Sequence, residues 1–448
     1  MEVSGTMVSI DQKSLIQTIK IYLSEYRSIF KKRSFVIFVI LIEAILAVQE
    51  LRSIKFLYDN FIKKYWTKVL NSFYYFLSYT KFSVESLMIV TVRIALTLIP
   101  EDIKSSITIF LIVDDTLQPK FGNKFDCYSK LFDHTQHNGT SYLNGHCFVS
   151  LVINIPILFN GKIKYISLPV GYKLYDKTKS KLEIAGNMIV NVMPLLIDYQ
   201  VIVLCDSWYT KKPFLKISKN FNNINVIGAV RSDTCLYDLQ PKPTGKRGRP
   251  RKKGEKLNIK NFNYEKVDNY YIATKKVITN LFDEPVFVTV TTTDIDKFSS
   301  VRLYISSIEP SELEVFKNYN TDDLTIDKNK PHLIPFYTYK IRWNIEVIFY
   351  QHKFFWSFGK YMVRSQEAIE KYVNLLAIAY SFTVILPFIN KAFSKYQFKS
   401  PQVTKNTISY QMSKELILRT FVQKLQKNKI QEEVLKVINS LASQDNAS

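Results

Sequence analysis

The chain has 448 residues and a formal net charge of +22, from 61 Lys and Arg against 39 Asp and Glu. Hydrophobic residues make up 47% of it, enough for a large core spread over about two to four domains, which excludes a globally disordered chain. The basic excess calls for a polyanionic partner, nucleic acid or an anionic membrane surface, and the 28 Tyr and 31 Phe suit base stacking as well as core packing.

Residues 1–105 read as a helical N-terminal domain, suited to binding a DNA end or simply to packing. Apolar positions recur at helical spacing over Leu15–Tyr26, Ser34–Val48, Ile54–Val69 and Phe82–Leu98, and Pro100 ends the block. The Ser34–Val48 run follows Lys31-Lys32-Arg33. It is shorter than the roughly 20 apolar residues of a membrane span and carries Glu43 inside it, so a buried helix is expected and no membrane partner. The polar, mixed-charge N-terminus predicts no signal peptide.

Residues 106–232 change to an α/β pattern. Ile107–Val113 is a β-branched apolar run expected to form a buried strand ending on Asp114-Asp115-Thr116. Strands at His146–Ile157 and Ile163–Val170 flank the hairpin signal Asn160-Gly161. A helix over Lys181–Ile197, a strand over Val201–Cys205 ending on Asp206, and a strand over Ile224–Val230 complete the segment. Ligands of such sheets gather at strand C-termini, so Asp114 and Asp206 are candidate site residues.

Residues 233–325 read as a β-rich insertion. It opens with a basic loop holding Lys246, Arg247, Arg249 and Arg251, followed by strands at Tyr270–Val277, Val286–Thr293 and Val301–Ser306. The loop reads first as a solvated segment touching phosphates; its Arg-Gly-Arg-Pro core also suits a narrow A·T-rich minor groove. Residues 326–395 hold a helix carrying Glu346 and a second over Gln366–Phe393, and 396–448 a basic helical tail. The four cysteines form no C-x-x-C pair, which argues against a disulfide framework or zinc ribbon and makes a reducing cytosol the default. Cys127, His134, His137, His146 and Cys147 fit no standard zinc spacing, and core or loop roles are expected for them.

The densest chemistry is Tyr339-Lys340-Ile341-Arg342-Trp343-Asn344-Ile345-Glu346 with Lys353 beyond it, the pattern Y-x2-R-x3-E-x6-K. At about 100° per residue, one continuous helix would set Tyr339, Arg342, Glu346 and Lys353 within roughly 60° of each other. A surface helix with i,i+4 ion pairs has the same appearance. Asp114, Asp206 and Glu346 are distant in sequence, but a fold could gather them. Like charges so gathered need a counter-charge, and magnesium with its hard oxygen ligands supplies one; two ions could clamp an in-line phosphoryl displacement. Asp115 competes with Asp114 as first ligand, and Asp114 is preferred because it directly follows the apolar run.

These motifs resemble the DDE transposases of bacterial insertion sequences, in the branch marked by Y-x2-R-x3-E-x6-K (the insertion-sequence-4 type). Asp114-Asp115-Thr116 is similar to that family's first acidic strand, Val203–Tyr209 to its second, and Tyr142–His146 and Val363-Arg364-Ser365 to further stretches, over roughly residues 105–395. The resemblance implies an RNase H-like mixed-sheet core, interrupted by the β-rich insertion and flanked by an all-α N-terminal domain and C-terminal helices. It implies Asp114, Asp206 and Glu346 as catalytic metal ligands for two Mg2+ ions, with Mn2+ as a substitute. Tyr339 and Arg342 would hold a phosphate near a flipped nucleotide, Lys353 would contact backbone, and Trp208 and Trp343 are candidates to stack the base. Terminal inverted repeats and target DNA would be the substrates, a homodimer the working state, a hairpin the intermediate and the bacterial cytoplasm, at the nucleoid, the location. The rival reading is a DNA-binding descendant without catalysis.

Overall fold

The computed structural model describes residues 14–50, 53–122, 124–133, 142–241, 251–313, 330–425, 432–434 and 436. They fall into two compact units that cut across the linear segments expected from sequence. One holds Lys81–Phe354 and Val363–Ser381; the other holds the described parts of Met7–Thr80, Phe355–Met362 and Phe382–Ser448.

The first unit is built on a ten-stranded mixed sheet. Its strands are β1 (Thr108–Pro119), β2 (Ser129–Phe132), β3 (Tyr142–Phe159), β4 (Lys162–Leu174), β5 (Gln200–Cys205), β6 (Ile224–Val230), β7 (Glu265–Val267), β8 (Tyr270–Val277), β9 (Val286–Thr292) and β10 (Arg302–Ser306). The order is β2-β3-β1-β5-β6-β10-β9-β8-β7, with β4 also paired to β3. The run β4-β3-β1-β5-β6 has antiparallel pairing at β4-β3-β1 and parallel pairing at β1-β5-β6. That is the RNase H-like mixed α/β core expected from the resemblance. Strands β7 to β10, read from sequence as an insertion, extend the same sheet outward from β6.

Residue chemistry accounts for the centre of the sheet. Ile109 to Val113 and Val201 to Cys205 are all fully buried, so both faces of β1 and β5 are covered, as unbroken β-branched and apolar runs require. The helix Lys181–Val192 packs on β3, and Trp343–Phe354 packs on β1 and β4. The latter turns Ile345, Ile348 and His352 inward; the His352 ring nitrogen Nδ1 lies 2.7 Å from the Tyr172 hydroxyl of β4. Burial lowers the His352 pKa to about 3, so the imidazole is neutral in this contact. At β4 the register shifts between Leu151 and Val152, a bulge that accommodates Pro169.

The helix Gln366–Ile389 is long and apolar enough to cross a membrane by length and composition, and 83% of its most apolar window is buried inside the protein. Asn374 on this helix binds the β4 backbone. Its Oδ1 accepts from Tyr172 N–H at 2.9 Å, and its Nδ2 donates to the Tyr172 and Glu370 carbonyls at 2.9 and 2.8 Å. Gly171 lets the side chain come this close, because a Cβ there would meet Met88 Cγ at 2.7 Å and Asn374 Oδ1 at 3.1 Å.

The second unit is helical. Leu15–Ser24, Lys32–Ala47 and Pro401–Leu425 pack together, so N- and C-terminal helices share one body. The carboxylate of Glu415 accepts from the Leu15 and Ile16 amides at 2.8 and 3.3 Å, capping the first helix from across the chain. The Ser34–Val48 run lies mostly within the Lys32–Ala47 helix, which buries Ile37 to Ala47 except Val39, with Glu43 only 3% exposed.

The amide pairing at β4 yields a stability prediction. Asn374→Leu leaves the buried Tyr172 N–H and C=O without their side-chain partner, which costs about 2–5 kcal/mol. Urea unfolding of the variant should show that loss; an unchanged midpoint would mean that Asn374 does not hold the strand.

Candidate active site

The site begins where parallel pairing stops. β1 and β5 run in register to Val113 and Cys205, and the next residues are Asp114 and Asp206. Neighbouring strands lie about 4.8 Å apart, so these carboxylates leave adjacent positions on one sheet edge. The expected strand end at Asp114 needs correction. β1 continues to Pro119 because its other edge stays paired with β3, down to Pro119 opposite Gly145. Asp206 does leave its strand. Its Oδ1 accepts from the Trp208 and Tyr209 amides, each at 3.0 Å, and its carbonyl accepts from Thr210 N and Oγ1 at 3.0 and 2.8 Å. This is an Asx turn closed by a threonine. Beneath it lies Gly228, where a Cβ would meet Thr210 Oγ1 at 2.3 Å and Cys205 Sγ at 3.0 Å.

The helix carrying the Y-R-E-K pattern is interrupted, contrary to the single continuous helix expected. One helix spans Ile334–Lys340 and the next Trp343–Phe354. Between them the chain tightens into i→i+3 bonds, with Ile341, Arg342, Asn344 and Ile345 donating to Thr338, Tyr339, Ile341 and Arg342. Arg342 lies within this tightened stretch. Its Nη1 lies 2.7 Å from Asp114 Oδ2 and 3.5 Å from Glu346 Oε1. Tyr339 sits beside it, with its ring 4.5 Å from the Tyr304 ring and 5.9 Å from the guanidinium carbon.

Asp114, Asp206, Arg342, Glu346 and Lys353 line one cavity of about 740 Å³. Tyr339 is not among its lining residues, and neither is Arg251, which is exposed elsewhere. Lys246, Arg247 and Arg249 lie outside the described residues, as do His134 and His137. Of the two stacking candidates, Trp208 lines the cavity, whereas Trp343 does not line it and is 64% exposed.

The neighbouring aspartates differ in environment. Asp114 Oδ1 accepts its neighbour's amide at 2.8 Å, and Oδ2 takes Arg342. Asp115 is engaged by Lys181 Nζ at 2.7 Å, the Tyr209 hydroxyl at 3.1 Å and the Cys147 thiol at 3.2 Å. Lys181, Tyr209, Thr210 and Gly228 had not been singled out from sequence. Only the Asp-x-x-x-Thr spacing of Asp206 and Thr210, a local turn signal, could have flagged any of them. His146, from the sequence cluster, lies 2.9 Å from the Asp126 carbonyl, a loop-fastening contact.

Burial and the Asp206 charge raise the Asp114 pKa well above the ordinary carboxylate range, against the pull of Arg342, and Glu346 and Asp115 add to the rise. Asp206 is also raised, chiefly by burial, although the Tyr209 and Trp208 amides oppose this. Among the described residues no ready-made cluster of three acidic, thiol or imidazole groups is poised to hold a metal. The donor chemistry nevertheless fits a hard divalent cation: the carboxylates of Asp114, Asp206 and the partly exposed Glu346 face one cavity, and the guanidinium of Arg342 bridges Asp114 to Glu346.

A pH prediction follows from Asp114. With a raised pKa, the folded state holds the proton more tightly than the unfolded chain does. The ionised group therefore costs stability increasingly as pH climbs from the ordinary carboxylate range through the raised value. Asp114→Asn removes that cost. In EDTA at pH 8 the variant should melt roughly 2–4 °C above the parent, with the gap closing towards pH 4. A gap that widens on acidification would contradict the buried-charge account.

With this geometry in view, comparison with known proteins is informative. The sequence model of a family described as DDE superfamily endonuclease matches residues 39–275, just over half of the 448 residues. The matched span contains Asp114 and Asp206 and stops short of Glu346. No curated protein matches the chain. By the family match, supported by the RNase H-like sheet that holds the two aspartates at its edge, this chain belongs to the DDE superfamily endonucleases.

Proposed function

We propose that the protein is a transposase that cuts DNA at transposon ends and joins the freed ends to a target, with Asp114, Asp206 and Glu346 as its catalytic carboxylates. The observation that carries this reading is the cavity in which two aspartates from adjacent parallel strands and a glutamate from a helix far along the chain face a shared space. The Y-x2-R-x3-E-x6-K pattern is the support for placing it in the insertion-sequence-4 type, with a hairpin intermediate, a homodimeric working state and terminal inverted repeats as substrate. The family implies DNA as the substrate, and the net charge of +22 agrees with a polyanion.

Asp114, Asp206 and Glu346 are the residues that would hold magnesium, two ions in the full reading, with manganese as a substitute. Bound there, the metal would stabilise negative charge on the attacking and leaving oxygens of an in-line displacement at phosphorus. The chain's own residues do the rest. The Asx turn at Asp206 fixes its carboxylate, and Lys353 in the cavity lining meets backbone phosphate. Arg342 bridges Asp114 and Glu346 and supplies positive charge in the cavity where a DNA phosphate would sit.

A second reading, a DNA-binding descendant without catalysis, draws on the same bridge, since Arg342 balances the carboxylates with no metal. One experiment separates the two. A duplex carrying the inverted repeats that flank the gene is incubated with magnesium, and nicks are scored on a denaturing gel. The parent should cut, while Asp206→Ala and Glu346→Ala should lose at least about a hundredfold of the rate and bind DNA nearly as well. Cutting by Glu346→Ala at the parent rate would remove Glu346 from the site, and a parent that binds but never cuts would favour the descendant.

A further inference from the structure

We propose that Lys181 is a phosphate-binding residue of the cavity, held in place by Asp115, and that its ligand is a backbone phosphate of DNA entering the carboxylate site. This deepens the endonuclease reading and rests on it for the identity of the ligand.

Lys181 is the first residue of the helix Lys181–Val192, which Ser180 caps by accepting from the Glu183 amide at 3.1 Å. A cation at a helix N-terminus opposes the helix dipole, so local helix physics does not select lysine there. The side chain turns inward instead of snorkelling to water: Lys181 and Asp115 are each only 16% exposed, and Nζ lies 2.7 Å from Asp115 Oδ2. It also lies 5.0 Å from the centre of the Trp208 ring. Lys181, Asp115 and Trp208 all line the cavity that holds Asp114, Asp206 and Glu346.

Asp115 is a positioning residue in this arrangement. The Tyr209 hydroxyl and the Cys147 thiol donate to it as well, so its carboxylate is fixed from three sides and fixes the ammonium in turn. An ammonium has three N–H donors and Asp115 accepts one of them. A polyanion approaching a wall of carboxylates needs cations in that wall. Arg342 is bound to Asp114 and Glu346, and Lys353 stands on a different helix. Lys181 brings a second lysine to the cavity from a separate element.

The test is the salt dependence of binding to a short fluorescein-labelled mixed-sequence duplex, followed by anisotropy in EDTA so that nothing is cut. Each phosphate neutralised contributes a slope of about 0.9 in log K against log salt. Lys181→Gln should lower the slope by about one, and Lys181→Arg should restore it. Lys297→Gln, which removes an exposed lysine outside the cavity lining, controls for net charge and should leave the slope unchanged. If Lys181→Gln folds poorly, the charge-balanced pair Asp115→Asn with Lys181→Gln leaves the net charge of the cavity unchanged, and its slope should still fall by about one. A folded variant that lacks the Lys181 charge but keeps the parent slope, losing only melting temperature, would reduce the pair to a fold contact and overturn the proposal. Cleavage does not enter this measurement, so a parent that fails to cut defeats the transposase reading without touching the slope, and the converse also holds.

Discussion

The parallel pairing of β1 with β5 is the constraint on which the site depends. It aligns Val113 with Cys205, and so sets Asp114 and Asp206 side by side although about ninety residues separate them. A one-residue slip would send either carboxylate to the other face of the sheet. The register is held by unbroken apolar runs buried on both faces, and β6 repeats it by placing Gly228 opposite Cys205, where it leaves room for the Thr210 hydroxyl. Sheet, turn and carboxylate thus form one mechanical unit.

Electrostatics decides the state of that unit. Carboxylates brought together around one cavity repel each other, and three cations, Arg342, Lys181 and Lys353, line it with them. Arg342 spans Asp114 and Glu346; Lys181 is matched to Asp115. The two adjacent aspartates are thereby separated in role. Asp115 is enclosed by a lysine, a phenol and a thiol, whereas Asp114 faces the other carboxylates, and burial together with their charge raises its pKa. The donor set left around the guanidinium is made of hard carboxylate oxygens, the kind that suit a divalent cation.

Arg342 lies at the break that divides the Tyr339–Lys353 segment into two helices. A straight helix would set its polar residues in one stripe at fixed angular spacing. The tight turns at Ile341 to Ile345 depart from that geometry, and the guanidinium lies 2.7 Å from Asp114. Helical spacing puts Arg342, Glu346 and Lys353 on one face, and all three line the cavity, but it does not reveal the break after Lys340, because local spacing carries no information about the strand that an arginine will meet.

The amino-acid sequence alone determined the elements and their chemistry. The apolar runs before Asp114 and Asp206, the hairpin at Asn160-Gly161, the buried helix near residue 40 and the Y-R-E-K pattern were all readable, since each depends on local periodicity or turn preference. Tertiary structure alone decided the partners. It continued β1 past its aspartates by pairing it with β3, and joined the insertion strands to the central sheet. It also placed Lys181 against Asp115 from 66 residues away and brought helices from both ends of the chain into one unit. Such contacts arise from long-range packing and from the need of buried charges for counter-charges, and no window of neighbouring residues encodes either.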